Sequence, residues 1–554
     1  DDTTWVAPAF DRPDTLTKRG SEYVRTLPGR AEVHFNLTGQ HVLTVNRLGQ
    51  RTTFNWSGDF LASIYLPVEG YAYSFTYGSP YQQLTRISVP NRGPSRDVLF
   101  DIDPTANSIQ RITEPGQWLV QPNGTQQWQD GPVIRFGFGS GDPRIASRTD
   151  RRGNTNDFRY GAGGLLSSVR LRMDTTAVFD SLVWRFRPQE AQGLADSSAV
   201  PVSRLSTRID GPRLDVADTV GLTLDRWGAP VVVRDALGNA TRLTRGDPRW
   251  PAAVTSVLYP NGREVTATYD ARGHPASSTD WSVTAADGRR ATTTYDWDPY
   301  WDALTRATAP EGEVAQRGYT ATGEPAWAQP GRSAARRVSF EYRPLDGSPS
   351  AGFVSAVRYP DGGREQYGYD LLGNLASVTT PRGNVTQYLS DNLGRDTLVI
   401  PAAGARTRTL YDVQSRAVRS VTFSGSDSLI VHTIYDPEGR PTRVMRTMVP
   451  DVNRILTQYT DWRYDAAGRR IWEKGPAGTP DSTVYDPAGQ VVEYWSTRRD
   501  PYTSERYVTR MRYDELGRLV ERITPQVRYQ PEAFTAFAHD WSFPSKPLDN
   551  EGAT

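Results

Sequence analysis

Cysteine is absent from all 554 residues, which excludes a disulfide framework, a thiolate nucleophile and any Cys-based metal site, so stability has to come from sheet pairing and packing. The same absence suits an exported bacterial protein that avoids stray oxidation, and suits many cytosolic proteins as well. No stretch nears the ~18 consecutive apolar residues of a membrane-spanning helix, and residues 1–30 lack the basic-then-apolar layout of a signal peptide. The chain opens at Asp1 rather than Met, which fits removal of a signal peptide or longer N-terminal region. Net charge is almost missing too. With 64 basic and 63 acidic residues the formal +1 supplies no field to gather nucleic acid or an anionic membrane.

Hydrophobic residues make up only 37% and mean hydropathy is -0.58, yet 11% of residues are aromatic, with 27 Tyr and 15 Trp, which separates this composition from that of a disordered chain. Polar residues on both sides of many strands suit a large sheet whose second face meets water, a hollow or open form. The 48 Gly and 40 Pro are spread along the chain, as turn residues are in an all-β protein.

A repeat organises the sequence. Tyr-Asp-x-x-Gly recurs at Tyr269, Asp270 and Gly273; Tyr369, Asp370 and Gly373; Tyr435, Asp436 and Gly439; Tyr464, Asp465 and Gly468; Tyr485, Asp486 and Gly489; and Tyr513, Asp514 and Gly517. Degenerate copies stand at Tyr319-Thr320 with Gly323, at Tyr411-Asp412 with Ser415 in the Gly position, and at Asp391 with Gly394, the Tyr displaced to Tyr388. Asp first and Gly fourth is the preference of a type I turn: the carboxylate accepts backbone N–H groups two residues on, and Gly takes the left-handed conformation of a bulged hairpin. Alternating runs flank the turn, such as Val508 to Tyr513 before and Arg518 to Ile523 after. Each unit therefore reads strand, tight turn, strand. The Tyr ring is placed to cover a cross-strand neighbour, its hydroxyl near water or a neighbouring turn.

Copies about 20 to 30 residues apart accommodate two strands, short of a four-stranded propeller blade, so a winding sheet fits better than a propeller. The N-terminal half carries the same grammar with the Tyr often lost, at Asn46 with Gly49, Asp150 with Gly153, Asp225 with Gly228 and Asp235 with Gly238. A second element, Pro-x-Gly, at Pro260, Pro310, Pro360 and Pro381, supplies the turns of the opposite edge. The expected organisation is 1–220 of degenerate repeats, 221–525 of clear repeats, and 526–554 as a strap or junction, with Phe534–Ala538 the best short helical candidate.

Strands ending in Tyr-Asp-x-x-Gly-Arg, as in Tyr435 to Arg440, Tyr464 to Arg469 and Tyr513 to Arg518, resemble the YD-repeat proteins of the Rhs type. That family includes bacterial Rhs toxins, wall-associated proteins, the B and C subunits of insecticidal toxin complexes, and teneurins. The resemblance, clearest over about 220–525, implies an all-β fold in which tandem hairpins form a long spiralling sheet and a hollow shell, enclosing in toxin members a C-terminal effector. Such members carry, after the repeats, Asp-Pro-x-Gly-Leu elements and an aspartyl self-cleavage site. Asp436-Pro437-Glu438-Gly439 and Asp486-Pro487-Ala488-Gly489 lack that context, so no cleavage residue is carried over.

Other chemistry is sought without result. His34, His41, His274, His432 and His539 are scattered; His34 and His41, seven apart, would point to opposite faces of one strand. Turn-forming Asp explains each repeated carboxylate, whereas a glycosidase needs one unrepeated pair. Asp101-Ile102-Asp103 and Asp150 to Asn156 lack the closing Glu of a calcium loop. Gly137 to Gly141 and Gly161 to Gly164 lack a strand-then-helix setting for phosphate. Trp118, Trp128, Trp297, Tyr300 and Trp301 are assigned to core and cross-strand packing ahead of sugar stacking, and Arg289-Arg290 and Arg336-Arg337 to solvated or salt-bridged sheet faces.

No catalytic residue, cofactor or metal ligand is therefore expected. The reading is a non-enzymatic shell or scaffold of a secreted or cell-surface bacterial protein that encloses, carries or displays another segment. Its partner is a polypeptide cargo or a C-terminal domain of the same protein, with no nucleic acid and no membrane span. The alternative is a carbohydrate-binding or adhesive module contacting glycans or surface proteins; a hydrolase hidden in the irregular N-terminal region is a third.

Overall fold

In the computed structural model the described residues are 4–526, apart from 7–13, 28–29, 68–71, 79–81, 90–95, 104–106, 121–124, 162–163, 174–178, 188–205, 226–227, 285–287, 452–453 and 477. The expected strap and helical candidate after 526 lie outside them. Among the described residues forty-five strands, β1 (Thr4–Val6) to β45 (Leu519–Ile523), follow one another in chain order, and 43 of them form one sheet. Neighbouring strands pair antiparallel, as hairpins joined by short turns must. The helical content of the described residues is a single 3-10 turn at Ala334–Arg336. One hairpin, β12 (Gln117–Val120) with β13 (Gln126–Gln129), stands outside the main sheet.

The repeat turns have the type I plus bulge geometry. At Asp436 the backbone carbonyl accepts from the N–H of Gly439 at 3.0 Å and the Asp436 N–H donates to the carbonyl of Arg440 at 2.8 Å. Gly439 sits at φ 87, a left-handed conformation that only Gly adopts without strain, and the register slips by one residue beside it.

Because the strands alternate in direction, turns after even-numbered strands lie on one edge of the sheet and turns after odd-numbered strands on the other. The Tyr-Asp turns from 269 to 517 all follow even strands, from β24 (Glu264–Tyr269) to β44 (Arg506–Tyr513), and the Pro-x-Gly turns follow odd ones. Asn46, Asp150 and Asp235, grouped by sequence with the Tyr-Asp turns, follow odd strands and belong to the opposite edge; Asp225 follows an even strand. Local turn chemistry is the same on both edges, so Asp and Gly alone do not report which edge a turn occupies.

The sheet coils onto itself. Arg151, between β15 (Asp142–Thr149) and β16 (Thr155–Tyr160), meets Glu438, 287 residues and 23 strands later, between β38 (Asp427–Tyr435) and β39 (Pro441–Asp451). Arg152 reaches Asp465 across 313 residues, Arg213 reaches Asp514 across 301, and Gln117 reaches Val413 across 296. Arg47 pairs with Glu324 and Arg30 lies over the Tyr300 ring in the same way. Each contact joins an odd-edge loop of the first winding to an even-edge turn of the second, the geometry of a ramp whose one rim rests on the next level, with about 300 residues per winding.

The wall is one sheet thick. Among the described residues a dozen apolar side chains are buried, scattered from Val24 to Ala466, and most strand positions are half-buried on both faces. A sandwich of two packed sheets would bury alternate positions along every strand. Buried polar residues instead gather at the turns: His274, Glu324, Asp412, Asp436, Asp465 and Asp486, with Arg213 from the facing edge.

Candidate functional site: the repeat turns and the seam between windings

The Tyr of each repeat closes the even strand and donates its hydroxyl to a backbone carbonyl near the preceding even-edge turn. Tyr269 reaches Val254 at 2.8 Å, Tyr369 Val354 at 2.8 Å, Tyr435 Ala417 at 3.0 Å, Tyr464 Pro441 at 2.9 Å, Tyr485 Arg470 at 2.9 Å and Tyr513 Val491 at 3.0 Å. The degenerate copies at Tyr319 and Tyr411 do the same, to Leu304 and Asp396. Burial pushes the phenols of Tyr269, Tyr369, Tyr411, Tyr435, Tyr464 and Tyr485 above their ordinary value.

Sequence reasoning missed five members of this row. Tyr77, Tyr160 and Tyr342, and the indole N–H groups of Trp56 and Trp297, make the equivalent bond to Leu61, Ile145, Pro325, His41 and Pro275. An aromatic at or near the end of an even strand is the signal; Tyr77, Tyr160, Tyr342 and Trp56 have no Asp after them, and Trp297, followed by Asp298, has Trp301 where the motif has Gly.

The Asp carboxylates work inside the turn. Asp370 accepts from the N–H groups of Leu372 at 2.9 Å and Asn374 at 2.8 Å, and Asp436, Asp465 and Asp486 accept from the residue four on. An Arg at that fourth position adds a guanidinium. Arg416 binds Asp412 at 2.5 Å, lies over the Tyr435 ring with its carbon 5.0 Å from the centroid, and donates to the Asp436 carbonyl at 3.0 Å. Arg395 and Arg469 repeat this on Asp391, Tyr411 and Asp412, and on Asp465, Tyr485 and Asp486. These three repeats thus hand a planar cation to the next. Of the 64 basic residues three are lysine, Lys18, Lys474 and Lys546; an ammonium cannot pair, stack and cap at once.

At two turns the cap comes from the facing winding. Arg152 donates to the carbonyls of Asp465 at 2.8 Å and Tyr464 at 3.0 Å, and its Nε lies 3.5 Å from the Asp436 carboxylate. Arg213 donates to Asp514 at 2.6 Å and Tyr513 at 3.3 Å, 3.8 Å from the Asp486 carboxylate. The repeat before Asp514 has Gln490 where those at Asp391, Asp412, Asp436 and Asp465 have Arg, so its own edge offers no guanidinium there. The hydrogen-bonded Asp215 carboxylate holds Arg213 above its ordinary value, and Glu114 does so for Arg151. At Thr320 the charges are exchanged: Glu324 takes the fourth position, accepts from the Thr320 hydroxyl at 2.8 Å, and meets Arg47 of the facing winding at 3.1 Å.

His274 stands at the fourth position after Asp270, fully buried, its Nδ1 3.0 Å and Nε2 3.3 Å from the Asp270 and Asp302 carboxylates, and stacks on Trp297 at 4.8 Å. His34 and His41 lie on adjacent strands, β4 (Glu32–Asn36) and β5 (His41–Val45), rather than one, because the turn at Asn36 separates them. Among the described residues no cluster of three or more His, Asp and Glu has metal-binding geometry. Asp101 pairs with Arg111 and Asp103 with Gln110. At Gly137 a Cβ would lie 2.4 Å from the Ser147 hydroxyl, a close strand approach. Arg337 stacks on Trp327 at 3.9 Å. Trp118 and Trp128 correct the packing assignment. They are cross-strand partners, edge to face at 5.6 Å, but 64% and 48% exposed, because their hairpin leaves the sheet that would cover them.

A family model described as RHS Repeat matches residues 350–385, the segment that leads into β31 (Val354–Arg358) and runs through the Tyr369 turn. Comparison by sequence with curated proteins returns no match. Among solved structures, the chain is similar to the crystal structure of TcdB2-TccC3, with TM-score 0.54 and 11% identity over 91% of this chain and 33% of that one. It is similar also to the Photorhabdus luminescens Tc holotoxin pore, with TM-score 0.53 and 11% identity over 94% and 36%. It spans about a third of the length of those chains. The chain thus carries an RHS repeat at residues 350–385, and its coiled sheet has the fold of those toxin-complex structures.

Proposed function

We propose that this chain is a non-enzymatic wall: a coiled β-shell of a secreted or cell-surface bacterial protein that encloses, carries or displays another polypeptide segment. The single observation that supports it most is that a one-layer sheet rests on its own next winding, which surrounds space without a dry core filling it. The reading treats 1–220 and 221–525 as successive stretches of one wall, and Tyr269, Asp270 and Gly273 with their five repeats as structural turn residues. The occupant is a cargo polypeptide or a further domain of the same protein, in line with the holotoxin context of a similar structure. Cryo-electron microscopy of the natural full-length protein tests it. Density for a polypeptide inside the coil is expected; a coil holding only solvent, in a protein whose flanking domains lie outside it, would refute enclosure.

The exposed Trp118 and Trp128 favour a second reading, a glycan-binding surface, since two uncovered indoles beside Gln117, Gln129 and Asp130 offer stacking faces and hydrogen-bonding groups. Titration with chito- and cello-oligosaccharides, read by tryptophan fluorescence, should show saturable binding that Trp118→Ala abolishes; no change with either series removes this reading.

A further inference from the structure

The windings are joined differently from the strands. Within a winding, neighbours share backbone ladders, whereas among the described residues the hydrogen bonds and ion pairs between windings given above use at least one side chain: Arg47, Arg151, Arg152, Arg213 and Gln117 on one side, and turn carbonyls, an N–H or carboxylates on the other. Two of these contacts complete the wall chemically. The carbonyls of Asp412, Asp436 and Asp486 are capped by Arg395, Arg416 and Arg469 of their own edge, but those of Asp465 and Asp514 receive their guanidinium from Arg152 and Arg213 across the seam. Arg213 is nearly enclosed, its side chain 4% exposed among Asp215, Asp218, Asp486 and the Tyr513 and Asp514 carbonyls.

We propose that Arg152 and Arg213 are latches of a separable seam, along which the windings part while the strands of each winding stay paired. Charged side chains on fixed carbonyls form a joint that breaks at a few points, whereas separating two strands breaks a whole ladder. Such a joint gives the wall a place to open sideways without unfolding. The inference deepens the shell reading and rests on it for its purpose, but its test reads the wall itself and stands whether or not a cargo is found.

Hydrogen exchange followed by mass spectrometry on the whole chain provides that test. In Arg152→Gln/Arg213→Gln the turn amides of 464–469 and 513–518 should exchange on the order of tenfold faster, while those of Val385–Ser390 and Asp396–Ile400 keep their rates and the far-ultraviolet circular dichroism is unchanged. Arg152→Lys/Arg213→Lys should exchange like the Gln pair, because one ammonium cannot span two carbonyls and a carboxylate. Unchanged exchange at the two turns would overturn the proposal. So would a uniform rise across the sheet or loss of the β signal, since either means that seam and strands melt as one. The wild-type chain supplies a reading free of substitution: in rising sodium chloride the same turns should lose protection before the strands, and simultaneous loss would equally overturn it.

Discussion

The hydroxyl of Tyr435 donates to the carbonyl oxygen of Ala417 at 3.0 Å, across 18 residues and two strands of the sheet. This bond ties one repeat to the one before it, independently of the backbone ladder. Tyr435→Phe keeps the ring under Arg416 and removes only the donor, leaving the carbonyl of the exposed Ala417 without that partner. A loss of about 1 kcal/mol is expected, measured by urea denaturation against Tyr502→Phe, whose ring is mostly exposed and whose removal of a hydroxyl should change nothing measurable.

Ser415 occupies the turn position that Gly holds elsewhere, at φ 66, where a Cβ is strained. Ser415→Gly should raise stability by about 0.5–1 kcal/mol, the relief of a left-handed side chain less the extra freedom of Gly in the unfolded chain. Gly439→Ala, at φ 87 with room for a methyl group, should lower it by about 1 kcal/mol through strain alone. If the two shifts in thermal midpoint have the same sign, the conformational account of the turn is wrong.

Arg416→Lys preserves charge but gives up the fork that holds Asp412, Gln414 and the Asp436 carbonyl together. A cost of about 1–3 kcal/mol is expected, against near zero for Arg512→Lys, whose side chain is mostly in solvent. Equal, small effects at both would show that charge alone suffices.

The phenols that burial holds above their ordinary value of 10.0 bind their proton more tightly in the folded chain than in the unfolded one. Their contribution is therefore complete below pH 10 and is lost as pH rises through the higher folded values. On the acid side, burial opposes ionisation of Asp391 but the Arg395 hydrogen bond and two backbone N–H groups outweigh it, holding the carboxyl below 3.8. That contribution is complete above 3.8 and is lost as pH falls through the folded value. Thermal melts should show a plateau between these limits, and Tyr435→Phe combined with Tyr485→Phe should flatten the alkaline fall while leaving the acid one in place.

The turns were legible because Asp-x-x-Gly is a local code: one carboxylate and one left-handed residue specify the geometry wherever they occur. Tyr also marked its strand end correctly. The coil was expected only through the family resemblance and not from the residues themselves, since its contacts lie about 300 residues apart and use side chains such as Arg152 and Arg213 that carry no motif. The fading of the Asp-Arg chemistry before Tyr269 has the same origin. Among the described residues, the hydrogen bonds and ion pairs that join the windings reach even-edge turns only after it, while aromatic donors such as Tyr77 and Tyr160 persist earlier because they serve the winding's own strands. The exposed Trp118 and Trp128 were misread because the pattern of a hairpin does not reveal whether it stays in the sheet.

The assignment of even strands to one rim and odd strands to the other makes the molecule sensitive to parity. Losing or gaining a hairpin shortens or lengthens the ramp and leaves every later turn on its own rim. Losing a single strand would exchange the rims for all that follows, pointing Asp465 and Asp514 away from Arg152 and Arg213. Length change in this wall is thus permitted only in steps of two strands, a reading-frame rule written in architecture rather than in codons.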